Sequence, residues 1–162
     1  MYSARSPLPR SERHPAISQR NQLRRWGRNY RQPQRGNSRL EKSFQAIERS
    51  ADERTIAELI NEYLSPVHRD DFDNACPLPA LGTELWRAGG KTRQKASEGV
   101  LRFVSLVEKH LEDLPAKDRR SRAHAIVAAL VGSMMLSRIV TDPKLSDRLL
   151  RDTRDFVLRP VC

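Results

Sequence analysis

A chain of 162 residues has the length of one domain that can bury a sizeable core. Its net charge of +10 is unevenly placed: residues 1 to 40 hold ten arginines against the single acid Glu12, leaving +1 for all the rest. Two cysteines, Cys76 and Cys162, exclude a disulfide framework and a cysteine metal cluster, and suit a reducing cytoplasm.

The N-terminus carries charge throughout and lacks the apolar stretch a secretory signal needs, so no export is expected. Residues 1–37 contain Pro7, Pro9, Pro15 and Pro33 and no apolar run of helical or strand period, which reads as a disordered, Arg-rich arm. Within it Arg24, Arg25, Trp26, Arg28, Tyr30 and Arg31 combine cations with aromatic faces. That combination is the candidate nucleic-acid contact, set against a solvated arm without function.

Helical pattern begins at Ser38, where Ser38-Arg39-Leu40-Glu41 has the capping-box form. Residues 38–162 are read as one helical domain. Leu40, Phe44 and Ile47 share a face, and a second helix from about Glu53 places Ile56, Leu59, Ile60, Tyr63 and Leu64 in one stripe before Ser65-Pro66 stops it. Residues 65–79, with three prolines, read as a loop that returns to helix near Leu81 and ends at Gly89-Gly90. From Lys91 a long helix carries Ala96, Val100, Phe103, Val104, Val107, Leu111 and Leu114 towards Pro115. Another runs from about Ala116 to Val140. Asp142-Pro143 then supplies an N-cap and a proline first turn for a final helix bearing Leu145, Leu149, Leu150, Phe156 and Val157. No strand of convincing length appears, so the fold class is all-α, with about six helices.

Residues 123–140 are the most informative stretch, because their apolar surface is too wide for one packing face. At about 100° per residue, Ile126, Val127, Leu130 and Met134 gather on one side. Ala125, Ala128, Gly132, Met135, Leu136 and Ile139 gather on the other, where small residues admit a close second helix. Two opposed stripes point to a core face and an interface face, and a homodimer is the simplest closed solution. Burial of the whole helix within its own bundle stays open as the alternative. A membrane span is disfavoured, since His124 and Arg138 would be costly in hydrocarbon.

Two stretches carry a family resemblance: Tyr63-Leu64-Ser65-Pro66-Val67-His68-Arg69-Asp70-Asp71, then Cys76-Pro77-Leu78-Pro79-Ala80-Leu81-Gly82-Thr83-Glu84-Leu85. With the pair of segments 122–141 and 142–146 in the same order, residues 38–162 resemble the C-terminal domain of TetR-like transcriptional regulators. The resemblance implies a TetR-like helical bundle that dimerises through its last two helices, binds a small hydrophobic effector and in the intact family controls a DNA-reading head. It places the dimer interface at Ala125, Ala128, Gly132, Met135, Leu136, Ile139, Leu145 and Leu149, and makes Trp86, Phe103, Val107 and Met134 candidates for the effector pocket. Core packing is the alternative role for those four. The arginine-rich stretch of residues 24–36 stands where such regulators finish a helix-turn-helix, so the DNA-reading head is absent or replaced.

His68 and His110 have no third ligand or nucleophile at a suggestive spacing, and there is no phosphate loop or nucleophile elbow. No catalysis, metal or cofactor is therefore expected. Cys76 reads as a small packing residue more readily than as a redox sensor. The functional readings are an effector-sensing, homodimerising regulator, a dimerising module without DNA recognition, and a non-specific nucleic-acid binder acting through the arm. Limited proteolysis of the whole chain should remove residues 1–37 before any cut falls within residues 38–162, because the arm offers little apolar surface to offset an ordering cost of about 1–2 kcal/mol per residue. Equal resistance of both parts would mean a folded head.

Overall fold

A computed structural model describes Glu41, Lys42, Gln45 and residues 54–71 and 76–159 of the chain, all within one unit, Asn37–Cys162. The proposed arm, its boundary at residue 37 and the Ser38 capping box lie outside the described residues, although Glu41, Lys42 and Gln45 are helical. Among the described residues there is no strand. Six bounded helices follow: α1 (Ile56–Tyr63), α2 (Pro66–Asp70), α3 (Pro77–Ala88), α4 (Gly90–Lys109), α5 (Ala116–Ile139) and α6 (Pro143–Val157).

Local chemistry sets most of these boundaries. At the start of α1 a capping box forms one turn later than Glu53: the Glu58 backbone N–H donates to Thr55 Oγ1 (3.3 Å), and the Thr55 N–H donates to Glu58 Oε2 (2.8 Å). Ser65 Oγ accepts from the His68 N–H (3.0 Å), and Pro66 supplies a first-turn φ, so the chain enters α2. Gly89 and Gly90 have φ of +61° and +47°, a region that penalises any side chain, and they let α3 turn directly into α4. Asp142 Oδ1 accepts from the Lys144 N–H (2.9 Å) ahead of Pro143, the cap expected for α6.

Two expectations need correction, and one helix sorts its apolar residues between two faces. The prolines of residues 65–79 do not keep that stretch a loop: Pro66 and Pro77 each occupy a first helical turn, where the missing N–H costs nothing, so α2 exists and α3 starts at Pro77 rather than near Leu81. The helix from residue 90 stops at Lys109 rather than continuing to Leu114. Its end is drawn off by His110, whose Nδ1 lies 2.9 Å from the Leu106 carbonyl, and by Arg119, which donates to the carbonyls of Leu114 (2.8 Å) and Glu112 (2.9 Å). On α6, Leu145 and Phe156 are exposed while Ser146, Leu150 and Val157 are buried. The inward stripe is thus one position away from the most apolar one.

The bundle is organised around α5, which packs against α6, α4, α3 and α2. By length and composition α5 could cross a membrane, yet Ala123, Ile126, Val127, Leu130, Ser133, Met134 and Ser137 are buried within the unit. Those positions follow spacings of three and four, the period of one helix face. They meet Phe103, Val104 and Val107 of α4 and Leu150 of α6 in the core. The three buried serines are all satisfied: Ser133 Oγ donates to the Leu149 carbonyl (2.9 Å), Ser137 Oγ to that of Met134 (2.9 Å), and Ser146 Oγ to that of Ser137 (2.6 Å). Two of those bonds join α5 to α6, so the pair is held by directed polar bonds as well as by apolar area.

Leu130, 2% exposed at the centre of α5, should lose about 2–5 kcal/mol of stability on Leu130→Ala. Val67→Ala, at an 80% exposed position, should stay within about 0.5 kcal/mol of the parent. Urea denaturation of the two variants checks the contrast, and comparable losses would place the core elsewhere.

Candidate functional site

Two features stand out on this frame. The first is the face of α5 opposite its core stripe. Ala125 and Ala128 are exposed and Gly132 is half-buried, while Met135, Leu136 and Ile139 are 42%, 46% and 65% exposed. A Cβ built on Gly132 would meet nothing within 4 Å, so the space beside it is open. On α6, Leu145 and Phe156 are exposed with Leu149 half-buried between them. Leu145, Leu149 and Phe156 are separated by four and seven residues and so share one helix face. Phe156 is not among the interface residues expected from the sequence, although its spacing puts it on the side of Leu145 and Leu149.

The second feature is a cavity of about 80 Å³ beneath α1 and α2. Ile56, Leu59, Ile60, Phe103, Leu106, Val107 and Leu130 make its wall apolar, and Glu62, Tyr63 and His68 add polar groups. Of the four residues proposed for an effector pocket, Phe103 and Val107 are on this wall. Trp86 is not: it is 64% exposed on the outer side of α3. Met134 is fully enclosed in the core and likewise not on the wall. Sequence reasoning missed Tyr63 and His68 as lining groups. Tyr63 looked like one more member of an apolar stripe, and His68 fell in a presumed loop.

The polar groups beside the cavity are unusual. Tyr63 Oη and His68 Nε2 are buried without a hydrogen-bond partner among the described residues. The Tyr63 ring lies against His68 (centroids 4.9 Å apart) and Phe103 (5.5 Å). Burial holds the Tyr63 hydroxyl well above the usual phenol range, with the neighbouring Cys76 adding to the rise. Burial also raises the Cys76 thiol, and at 2% exposure this residue is a protonated packing group rather than a reactive thiolate. His68 is pushed below the ordinary histidine range, first by burial and then by the positive charge of Arg138.

Arg138 and Arg69 fasten this corner to α5 and α6. From the last turn of α5, Arg138 donates to the carbonyls of Arg69 (3.0 Å) and His68 (3.2 Å), which lie in α2. Arg69 in turn donates to Ser146 Oγ (2.8 Å) and Asp147 Oδ1 (2.7 Å) at the start of α6. No residue of α2 is buried, so these charge-assisted bonds do what apolar packing does elsewhere in the bundle.

Among the described residues no group of three or more His, Cys, Asp or Glu could hold a metal ion. Residues Arg24, Arg25, Trp26, Arg28, Tyr30 and Arg31 lie outside the described residues. His68 generates a pH prediction. Its folded pKa is depressed, so below the ordinary value of about 6.5 the unfolded chain takes up a proton that the folded chain refuses. The associated stability is complete above that value and is lost as pH falls through it. Between about pH 7.5 and about pH 5.5 the parent should therefore lose more stability in urea than His68→Gln does. Equal losses would mean that this imidazole is not held neutral by its surroundings.

Residues 53–153 match the family model described as the tetracyclin repressor-like C-terminal domain. No curated protein matches the chain.

Proposed function

Because the chain belongs to the tetracyclin repressor-like family through its C-terminal domain, we propose that it is the effector-sensing, homodimerising part of a cytoplasmic TetR-type regulator. It acts by association and ligand binding rather than by catalysis. The observation that carries this reading is the exposed apolar face formed by Met135, Leu136 and Ile139 of α5 with Leu145 and Phe156 of α6. Large apolar side chains gathered on two adjoining helices are costly to leave in water, and pairing with a second copy across a two-fold axis removes them from it. Ala125, Ala128 and Gly132 on the same side of α5 leave room for the partner's backbone.

The cavity under α1 and α2 is the place where such a dimer would sense an effector. Its wall joins the α5–α6 pair through Arg138 and Arg69. Direct reading of DNA by this chain turns on residues 1–37 and is left outside the proposed role.

The test is Gly132→Glu. In one subunit the new side chain points into open space, and replacing glycine in a helix interior removes a cost of about 1 kcal/mol, so the fold is retained. In the proposed dimer it puts an unpaired carboxylate into a desolvated seam in each protomer, at several kcal/mol apiece. Sedimentation at micromolar concentration should show a dimer for the parent and a helical monomer for Gly132→Glu. Glu98→Lys, on an exposed position of α4, should sediment with the parent. A folded, dimeric Gly132→Glu chain would remove this face as the interface.

A further inference from the structure

We propose that α2 is a latch released by acid: His68 cannot house a second ring proton while α2 is docked, so mildly acidic pH frees this helix from α1 and α5 while the rest of the bundle stays folded. The inference goes beyond the regulator reading and needs neither the dimer nor an effector.

The geometry at one nitrogen carries it. His68 Nε2 is closed to solvent and has no hydrogen-bond partner among the described residues. A neutral imidazole leaves one ring nitrogen without a hydrogen, and a nitrogen enclosed without an acceptor fits that role. An imidazolium has a hydrogen on both, so protonation turns Nε2 into a buried, charged donor that faces no acceptor. His110 gives the contrast: its ring nitrogens lie 2.9 Å and 3.1 Å from the carbonyls of Leu106 and Arg54.

The groups around the ring do not offset that cost. From α5, Arg138 bonds the His68 carbonyl (3.2 Å) and sets a positive charge beside the imidazole. From α1, Tyr63 lays its ring against it (centroids 4.9 Å), while the Glu62 carboxylate is bonded to Arg54. Helix α4 adds the uncharged Phe103 behind Tyr63. Cys76, at the head of α3, is a protonated thiol beside Tyr63. On α2 itself Arg69 is bonded to Asp70 and Asp147. Glu62 and Asp71 favour a charged ring, yet burial first and Arg138 second oppose it, and the net effect keeps His68 below the ordinary histidine range.

Helix α2 is the part that yields. None of its five residues is buried, so freeing it gives up little apolar area. Its anchors are the Arg138 bonds to the His68 and Arg69 carbonyls and the Arg69 bonds to Ser146 and Asp147. A cationic ring repels the Arg138 guanidinium at the first of these. Once α2 is free, His68 regains its ordinary value of about 6.5. Docking is therefore fully stable above that value and weakens as pH falls through it.

Hydrogen–deuterium exchange of the whole chain, read by mass spectrometry and corrected for the intrinsic pH dependence of exchange, tests this. The amides of His68, Arg69 and Asp71 bond Ser65 Oγ, the Ser65 carbonyl and the Val67 carbonyl, and a helix of five residues does not keep such bonds once undocked. Between about pH 7.5 and about pH 5.5 their protection should fall severalfold, and by at most about tenfold, the limit for one proton over that interval. Peptides from the middle of α5, around the buried Leu130, should keep theirs. His68→Phe and His68→Gln cannot take up the proton, so protection of α2 in both should be indifferent to pH, with circular dichroism confirming that each is folded. Three results would overturn the latch. Unchanged α2 protection in the parent would deny the coupling, an equal fall in both variants would assign it to another group, and an equal fall in α5 would make the whole unit, not α2, the part that opens.

Discussion

Helix α5 carries apolar residues around more of its circumference than its own subunit covers. Its inner stripe, from Ala123 to Ser137, is buried against α4 and α6, and its outer stripe ends in Met135, Leu136 and Ile139 with large areas in water. Each large side chain of that second stripe left exposed instead of buried forgoes on the order of 1.5–3 kcal/mol. The inner side finds long partners in α4 and α6, with α3 and α2 completing its cover, while among the described residues the outer side keeps Met135, Leu136 and Ile139 exposed.

The same helix explains why a polar corner is tolerated. Near its C-terminal end the apolar inner face gives way to Ser133, Ser137 and Arg138, and each is used to tie something down: α6 through serine-to-carbonyl bonds, α2 through the Arg138 guanidinium. Helix α2 has five residues, too few to fold or dock by propensity and apolar area alone. Arg69 completes the clasp from the other direction by reaching Ser146 and Asp147. Exposed ion pairs contribute about 0–1 kcal/mol, but this guanidinium is largely shielded, with 17% side-chain exposure, and it bonds in a fixed geometry to two partners on α6.

How much of this could be read in the sequence depended on whether the signal was local. Helix faces were legible on α5, where spacings of three and four separated Ile126, Leu130 and Met134 from Ala128, Gly132 and Met135, and the Asp142-Pro143 start was legible because a cap needs only its own neighbours. At residues 66 and 77 proline reads as a breaker in sequence, although a first-turn position accepts it, and only the carbonyl and hydroxyl partners around it decide between the two. The end of α4 was hidden for a similar reason: nothing between Lys109 and Pro115 announces that Arg119, from the next helix, will take the carbonyls of Glu112 and Leu114. On α6 the apolar residues alone do not say which face turns inward: Leu150 and Val157 are buried together with Ser146, whereas Leu145 and Phe156 are turned out. The candidate pocket was legible only in the aromatic and valine of α4, because the other side of the wall comes from α1 and α2, whose approach to α4 is set by tertiary packing.

The clasp and the cavity share residues. His68 contributes its ring to the cavity wall and its carbonyl to Arg138. Arg138 lies between Leu136 and Ile139, and Ser146 and Asp147 lie between Leu145 and Leu149, so the anchors of α2 alternate along the chain with residues of the outward apolar face. A molecule that moved His68 would have to lengthen or redirect bonds of 3.0–3.2 Å to a guanidinium rooted in that face. A hydrogen bond weakens steeply with misalignment, whereas an apolar contact slides at little cost. Polar anchors at this corner therefore transmit a displacement that a purely hydrophobic joint would absorb.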